Sequence, residues 1–320
     1  MQRWIAAIVI AVWLLLPLVV RADSTVSLMV FASITLIQAV GLSLLFGFTG
    51  QISLGQAGFY GIGAYVSSLA AIRFGIPPVL GLVAAAIAPA LLAYVIGRPI
   101  LRLKGYYLAM VTAGLGLILH TVFVEWESIT GGYSGVAGIP PLAIGSFAFD
   151  TPRSMFYFAA CCAILILIFA HRMVGTSYGR AMRTTRESEA AARSVGIDVS
   201  RLKTEVFALS AGMSGFAGGL YAHYVGYISP ETFTMDTSIN LLLALVVGGV
   251  GSLWGGAVGA ILLTFLPEWL HQLQNAYGIV FGAVVVVLLT VEPDGLVGIL
   301  RRLRFRLRRS MKTIPAGSAA

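Results

Sequence analysis

The sequence of 320 residues contains few charged side chains. Only 11% of its residues are Asp, Glu, Lys or Arg, whereas 58% are hydrophobic. Soluble domains usually carry about 25% charged residues, so this chain lacks the polar surface that a soluble protein needs. Its mean hydropathy is +0.91, and several apolar runs reach the roughly 20 residues that cross a bilayer core. The composition therefore excludes a soluble protein and predicts an all-α polytopic membrane protein.

Cysteine and histidine are also scarce. Cys161 and Cys162 are adjacent, a spacing that rarely suits a disulfide, so we interpret them as small apolar packing residues. Among the histidines, His120 lies in a predicted span one turn before Glu125. An ionisable group there is a candidate for a translocation path, although a structural hydrogen bond is an alternative. Without metal-ligand spacing, no metal site is predicted from the four histidines, His120, His171, His223 and His271.

The sequence also lacks a nucleotide-binding loop. Its most glycine-rich run, GGVGSLWGG from Gly248 to Gly256, has neither the lysine nor the following Ser or Thr that a phosphate-binding loop requires. No paired catalytic residues stand out either. These absences predict a protein that is not an enzyme and that holds no cofactor of its own.

Nine apolar segments follow one another along the chain. The first could be mistaken for a signal peptide, but its run is long and Arg21-Ala-Asp is a poor cleavage site, so we expect a retained first helix. The segments are residues 4–20, 26–47, 54–72, 77–97, 106–124, 154–170, 205–225, 239–266 and 278–298.

The charges in the connecting loops predict an orientation. Lys and Arg cluster in residues 98–104, 172–203 and 301–312, whereas acidic residues occupy the intervening loops. Cytoplasmic loops carry an excess of Lys and Arg, so residues 175–205 should form a cytoplasmic loop and residues 301–320 a basic cytoplasmic tail. A permease domain would then span residues 1–300.

If residues 239–266 crossed the membrane once, the basic tail after residue 300 would lie outside the cytoplasm, against the charge rule. Residues 239–266 should therefore form two short helices. We expect the break at glycines within Gly248 to Gly256, above all Gly248, Gly249 and Gly251. Such a break at membrane depth is tolerated only when it is buried in protein or lines a water-filled cavity. The prediction is about nine or ten membrane-embedded helices.

A second polar, glycine-rich stretch, GQISLGQAGFYGIGAY, covers residues 50–65. One interpretation is close helix packing, because small residues let neighbouring helices approach. Another is a helix broken near Gly50, with polar side chains that satisfy freed backbone groups or line a translocation path. Both can hold together. The packing glycines would be Gly55, Gly58 and Gly61, and the path residues Gln51, Ser53 and Gln56.

The predicted cytoplasmic loop contains two short helical pieces. Residues 178–194 are rich in helix formers, Gly196 stands at a helix-stop position, and Asp198 or Ser200 could cap the next helix. A small-residue face would suit a groove on another protein; its members are Ala190, Ala191, Ala192 and Val195. The alternative is a solvated basic loop that binds anionic lipid.

This loop resembles the coupling loop of ABC importer permeases, in which Glu-Ala-Ala is followed by three residues and Gly. Ala191, Ala192 and Gly196 keep that spacing, and the acidic residue is Glu189, one place earlier than usual. Residues 50–65 resemble the GQxSLGxAxFxGxGAY signature of branched-chain amino acid permeases. ITGGYSGVAGIP at 129–140 and EPDGLVGIL near residue 300 are similar to two further motifs of that family, in the same order.

The chain is thus identified as a member of the LivM-type permeases of branched-chain amino acid ABC importers. The resemblance implies a fold closer to the vitamin B12 importers than to the maltose importer, in the bacterial cytoplasmic (inner) membrane. It implies four kinds of partner: a second, LivH-type permease, two ATPase subunits that bind the coupling loop and use ATP and Mg, an extracytoplasmic substrate-binding protein, and membrane lipid. It implies no nucleic-acid partner.

Glu189, Ala191, Ala192, Gly196 and Asp198 would then contact or position the ATPase. Two alternatives remain at this point. The same family includes permeases for urea and short-chain amides. A self-contained secondary transporter would instead show internal repeats or carboxylates deep in its spans, and the sequence shows neither.

Overall fold

A computed structural model describes residues 11–17, 22–145 and 147–270, together with the glycines at 282 and 295. Within these residues every element longer than four residues is helical, as the composition predicts. Four helical stretches are long and apolar enough to cross a membrane: Asp23–Phe48, Pro78–Ile100, Tyr106–Glu125 and Pro152–Gly175. The described part of the chain is therefore an all-α bundle with several membrane-length helices.

The elements follow in a simple order. The helices are α1 (11–17), α2 (Asp23–Leu42), α3 (Gln56–Phe74), α4 (Pro78–Ile100), α5 (Tyr106–Glu125), α6 (Glu127–Thr130), α7 (Pro152–Gly175), α8 (Ser177–Glu187), α9 (Glu189–Ser194), α10 (Val199–Val225), α11 (Met235–Gly248) and α12 (Leu253–Leu270). A π-helical segment, Ser43–Phe48, extends α2, and two 3₁₀ segments are Gly132–Ser134 and Pro230–Phe233. The strands are β1 (Val136–Ala137), β2 (Ala143–Ile144), β3 (Phe147–Ala148) and β4 (Tyr227–Ile228).

The connections gather at two ends of the bundle. At one end, β1 pairs antiparallel with β4, and β2 with β3. There Arg73 at the end of α3 donates to the backbone oxygens of Ser128 and Ile129. At the other end, Lys104 pairs with Glu189 at 3.0 Å. The two basic loops 98–104 and 172–203 meet at the end with Lys104 and Glu189, as their charge predicts, and we call it the basic end. We call the end with Arg73 and the short strands the opposite end.

Helix α10 is the centre of the bundle and packs most extensively against α4 and α3. The approach to α3 depends on glycine. A Cβ on Gly63 would overlap the backbone of Gly215, and a Cβ on Gly218 would overlap the backbone oxygen of Tyr60. Because small residues let two helix backbones approach this closely, these glycines allow α10 to pack against its neighbours.

The apolar run 239–266 is divided into two helices, as its glycines predict. Helix α11 ends at Gly248, and Gly249 and Gly251 follow with φ of 120° and 91°. A Cβ on Gly295 would lie 2.6 Å from the Cα of Gly249, which places Gly295 beside this break. Apart from Gly282 and Gly295, residues 278–298 lie outside the described residues, as do the ends of segment 4–20 and the tail 301–320.

Residues 175–205 differ from the expected pair of short helices. They form α8, α9 and the first turns of the long α10. The chain bends at Ser188, which is extended (φ −156°) and whose side chain caps α9 by accepting from the Ala191 N–H. Gly196 then turns the chain with φ +83°. The helix after Gly196 is therefore not a separate short piece but the start of the central helix.

The arrangement predicts the outcome of cysteine labelling. Ser134 and Ser188 are both exposed and lie at opposite ends of the bundle. In a background with Cys161→Ala and Cys162→Ala, Ser134→Cys should react with a membrane-impermeant maleimide in intact cells. Ser188→Cys should react only after permeabilisation, because the basic end is expected in the cytoplasm. Permeabilised cells, in which both should react, serve as the control; the reverse pattern in intact cells would overturn this orientation.

Candidate functional site

The connection between α2 and α3 leaves the helical path at Gly50, whose φ is +72°. Arg186 of α8 crosses over it and donates from Nη1 to the backbone oxygen of Gly47. A Cβ on Gly50 would lie 3.2 Å from the Cγ of Arg186, and one on Gly251 would lie 3.1 Å from its Nη1. The Arg186 side chain therefore touches both glycine breaks, the one after α2 and the one between α11 and α12.

Gln51 is buried beside this arginine, with 2% of its surface exposed. Its Nε2 donates to Thr49 Oγ1 at 2.7 Å and, at 3.5 Å, to the backbone oxygen of Lys203. Its Oε1 accepts no hydrogen bond from the described part of the chain. The Gln51 side chain joins the α2–α3 connection to α10 and borders a cavity of about 330 Å³ beneath α8 and α9.

Ser53 and Gln56 follow in the same connection, and both are buried. The Ser53 hydroxyl accepts from the N–H of Gly55 at 3.5 Å. Gln56 donates from Nε2 to Ser210 Oγ at 3.1 Å and accepts at Oε1 from Ser214 Oγ at 2.6 Å. Gln56 is fully enclosed and both ends of its amide are bonded to α10, so it joins two helices in this structure.

Hydroxyl groups of neighbouring helices satisfy the backbone at the start of α3. The first N–H groups of a helix have no partner within it, and Gly55 has no side chain to supply one. The N–H of Ala57 donates to Ser238 Oγ of α11 at 2.9 Å, and the N–H of Leu54 donates to Thr112 Oγ1 of α5 at 3.1 Å. The broken backbone is thus hydrogen-bonded within the protein, as a membrane interior requires.

Gly55, Gly58 and Gly61 face α5. A Cβ on Gly55 would lie 2.8 Å from the backbone oxygen of Thr112, and one on Gly58 would lie 2.6 Å from Leu119 Cδ1. A Cβ on Gly61 would overlap the ring of Phe123. His120 also lies on α5 and is half-buried, but no hydrogen bond brings it together with Gln51, Ser53 or Gln56 in the described residues.

Glu189, at the start of α9, anchors the α8–α9 segment to the bundle. Its carboxylate accepts from Lys203 Nζ of α10 and pairs with Lys104 at 3.0 Å and Arg193 at 3.6 Å. The Lys203 side chain is only 8% exposed. Partial burial pushes the pKa of Glu189 upward, but hydrogen bonds and charges from Lys203 and Lys104 outweigh it and hold the pKa below its ordinary value. Glu189 therefore contacts its own chain rather than projecting outward.

The other expected coupling residues divide into buried and exposed positions. Ala192 is fully buried, which corrects the expectation that it enters a groove on a partner. Ala191 is exposed, and Val195 is 71% exposed. Gly196 faces open space, so its positive φ alone favours glycine there. Asp198 caps α10 by accepting from the N–H of Arg201 at 3.0 Å.

Sequence reasoning missed the residues that hold these parts together. Ser210 and Ser214 are four apart on α10 and therefore share a face, a signal that could have linked them to one partner. Arg186 and Lys203 carry no such local signal, because their partners lie more than a hundred residues away or across the turn at Gly196. The described residues contain no cluster of metal-ligating side chains.

The sequence matches the family model described as "Branched-chain amino acid transport system / permease component" over residues 24–289. It is 32% identical over 305 residues to the high-affinity branched-chain amino acid transport system permease protein LivM of Escherichia coli, covering 87% of this chain and 71% of that protein. LivM of Salmonella typhimurium is 33% identical, covering 92% and 74%. LivH of Escherichia coli is 28% identical over 291 residues, covering 81% and 90%. No solved structure matches the chain.

The ion pairs of Glu189 predict a pH-dependent stability. A carboxyl whose pKa is lowered by folding stabilises the protein above its unfolded pKa, about 4.3 for Glu, and this contribution is lost as the pH falls through the folded value. Glu189→Gln leaves the buried Lys203 without its charge partner, so we expect a loss of about 1–3 kcal/mol at pH 7. The difference from the unsubstituted protein should shrink below pH about 4.

Thermal unfolding of the purified protein at pH 7 and at about pH 3, below the pH at which the difference should shrink, measures this effect. Glu187→Gln is the matched control, because Glu187 is exposed and makes no ion pair among the described residues. An equal loss for Glu189→Gln at pH 7 and at about pH 3, well below the unfolded pKa of Glu, would show that the charge pairing is not the cause.

Proposed function

The chain belongs to the family of branched-chain amino acid transport permeases, and on that premise we propose that it is the membrane-spanning subunit of an ATP-driven importer of branched-chain amino acids. The observation that carries the proposal is the family match over residues 24–289, which covers nearly all of the described bundle. The broken, internally hydrogen-bonded α3 start and the divided α11–α12 pair are features that transporters use near a permeation route.

The partners follow from the same family. Two kinds of relative, LivM and LivH, are similar to this chain, which supports a second, homologous permease beside it. Two ATPase subunits would bind ATP and Mg and dock on the basic end, and a substrate-binding protein would deliver substrate at the opposite end. We place the assembly in the bacterial inner membrane, with nine or ten membrane-embedded helices in this subunit and a fold of the vitamin B12 importer type. Residues 1–300 would form the permease domain, and residues 301–320 a cytoplasmic tail.

The geometry of the basic end suggests how ATPase movement reaches the membrane. Ala191 and Val195 offer an exposed, mostly apolar docking surface, while Glu189 fixes α9 to α10. Arg186, on the adjoining α8, contacts the two glycine breaks. A displacement of α8 and α9 would therefore move the α2–α3 connection, including Gln51 and Ser53, together with the α11–α12 turn. His120 of α5 remains a proposed path residue.

Substrate uptake tests the proposed function. Vesicles that contain this chain with its partner permease, ATPases and binding protein should accumulate labelled leucine, isoleucine and valine only when ATP is enclosed on the ATPase side. A complex that transports urea or acetamide but none of these three amino acids would replace the proposal with the short-chain amide alternative. Uptake that persists without the ATPases would indicate a self-contained transporter.

Gly196→Asp tests the coupling role of the loop. Gly196 has φ +83° and no heavy atom within 4 Å of an added Cβ, so the substitution costs about 1–2 kcal/mol of backbone strain and leaves the bundle folded. The new charge at the docking surface should abolish substrate-stimulated ATP hydrolysis by the complex.

Gly196→Ala provides the matched control. At the same φ of +83° and in the same open surroundings, it carries similar backbone strain without the new charge. Stimulated hydrolysis should therefore stay near its normal rate. Normal stimulation in Gly196→Asp, or an equal loss in both variants, would contradict the coupling assignment.

A further inference from the structure

A second cavity lies away from the basic end, among α2, α10, α11 and α12. Its volume is about 280 Å³, just below the roughly 300–1,000 Å³ of pockets for drug-sized ligands. Thr232 of the 226–234 connection borders it, so it reaches toward the opposite end of the bundle. Asn240 on its lining is exposed. A small ligand could therefore enter from the end at which we place the binding protein.

Gln38 of α2 lines this cavity and has a buried oxygen without a hydrogen-bond partner among the described residues. Only 4% of its surface is exposed, and its Oε1 accepts no hydrogen bond from the described residues. Most buried side-chain polar atoms have a hydrogen-bond partner, and a missing one calls for an explanation. Gln56, in the same bundle, has both ends of its amide bonded. The Gln38 amide therefore lines the cavity without a hydrogen-bond partner among the described residues, which points to a ligand with polar groups.

The rest of the lining indicates the chemistry of that ligand. The lining includes the aliphatic side chains of Ile34, Leu241 and Leu263 and the rings of Phe31, Tyr60 and Tyr221. Aromatic faces attract cations, ammonium groups included. None of the described residues that line the cavity is charged, which suits a ligand with no net charge. A small zwitterion with an aliphatic side chain fits this lining, because Thr35, Thr232 and Asn240 also line the cavity and offer hydroxyl and amide groups to its carboxylate.

We propose that this cavity is a binding site for a hydrophobic amino acid inside the permease subunit, with the Gln38 amide hydrogen-bonded to the polar groups of the ligand. The aliphatic side chain lies against Ile34, Leu241 and Leu263, and the aromatic rings flank the ammonium. The site rests on the proposed function, because it takes the same class of substrate. It adds that this subunit itself recognises that substrate, separately from the binding protein.

Binding of labelled L-leucine to the purified complex, without the binding protein or ATP, tests the site. The unsubstituted complex should bind leucine saturably, and Gln38→Met should weaken binding at least tenfold. Because Gln38→Met removes an unsatisfied buried oxygen and keeps a similar shape, it should not lower the melting temperature. Ala244→Leu, which adds volume at the cavity wall, should weaken binding by a second, independent route.

Ser33→Ala is the matched control on the same helix. Ser33 is fully buried but does not line the cavity, and it donates to the backbone oxygen of Met29, so its loss should leave leucine binding unchanged. The site would be overturned if the unsubstituted complex did not bind leucine saturably. It would also be overturned if Gln38→Met and Ala244→Leu bound leucine as tightly as the unsubstituted complex. A co-purified lipid that leucine does not displace would overturn it as well. Uptake by the complete transporter separates the two proposals: uptake without binding here refutes only this site, whereas absent uptake refutes the proposed function.

Discussion

The broken backbone between α2 and α3 has to be hydrogen-bonded inside the protein, because lipid offers it no partners. Most of the surrounding architecture meets this requirement. Helix α5 supplies the hydroxyl of Thr112, α11 supplies that of Ser238, and α10 binds both ends of the Gln56 amide. The three helices can approach only where glycines remove side chains, as at Gly63 against the backbone of Gly215. Close packing at glycines therefore brings the neighbouring helices near enough to hydrogen-bond the broken backbone.

The same break connects the membrane bundle to its basic end. Arg186 of α8 donates to the backbone oxygen of Gly47 and lies against Gly251. Glu189 of α9 pairs with Lys203 and Lys104. The ion pairs hold the α8–α9 segment to the bundle, and Arg186 places it against two glycine breaks. These contacts are the ones on which the proposed coupling to an ATPase relies.

Two buried glutamines show how differently one residue type is used within a bundle. Gln56 has its full set of partners and contributes to the joining of α3 and α10. Gln38 leaves an oxygen without a partner at the edge of a cavity. An unsatisfied buried group lowers stability, so its presence in a lined cavity is better explained by recognition than by folding.

The sequence by itself determined the class of the protein, the position of its helical breaks and its family. Apolar length requires membrane helices, the clustering of Lys and Arg predicts which loops share an end, and the runs around Gly50 and Gly249 break helices, because glycine adopts positive φ without steric cost. It also identified Asp198 as a possible helix cap, because capping is a local interaction.

Only the tertiary structure decided which polar residues meet. Gln56 turned out to join two helices because Ser210 and Ser214, more than 150 residues away, face it across the contact between α3 and α10. Ala192 turned inward and Ala191 outward, since the bend at Ser188 sets the rotation of α9 against α10. Arg186 and Gln38 gained their roles in the same way. The residues that they meet include ones on helices distant in the chain, and the spacing of residues within one helix does not predict such contacts.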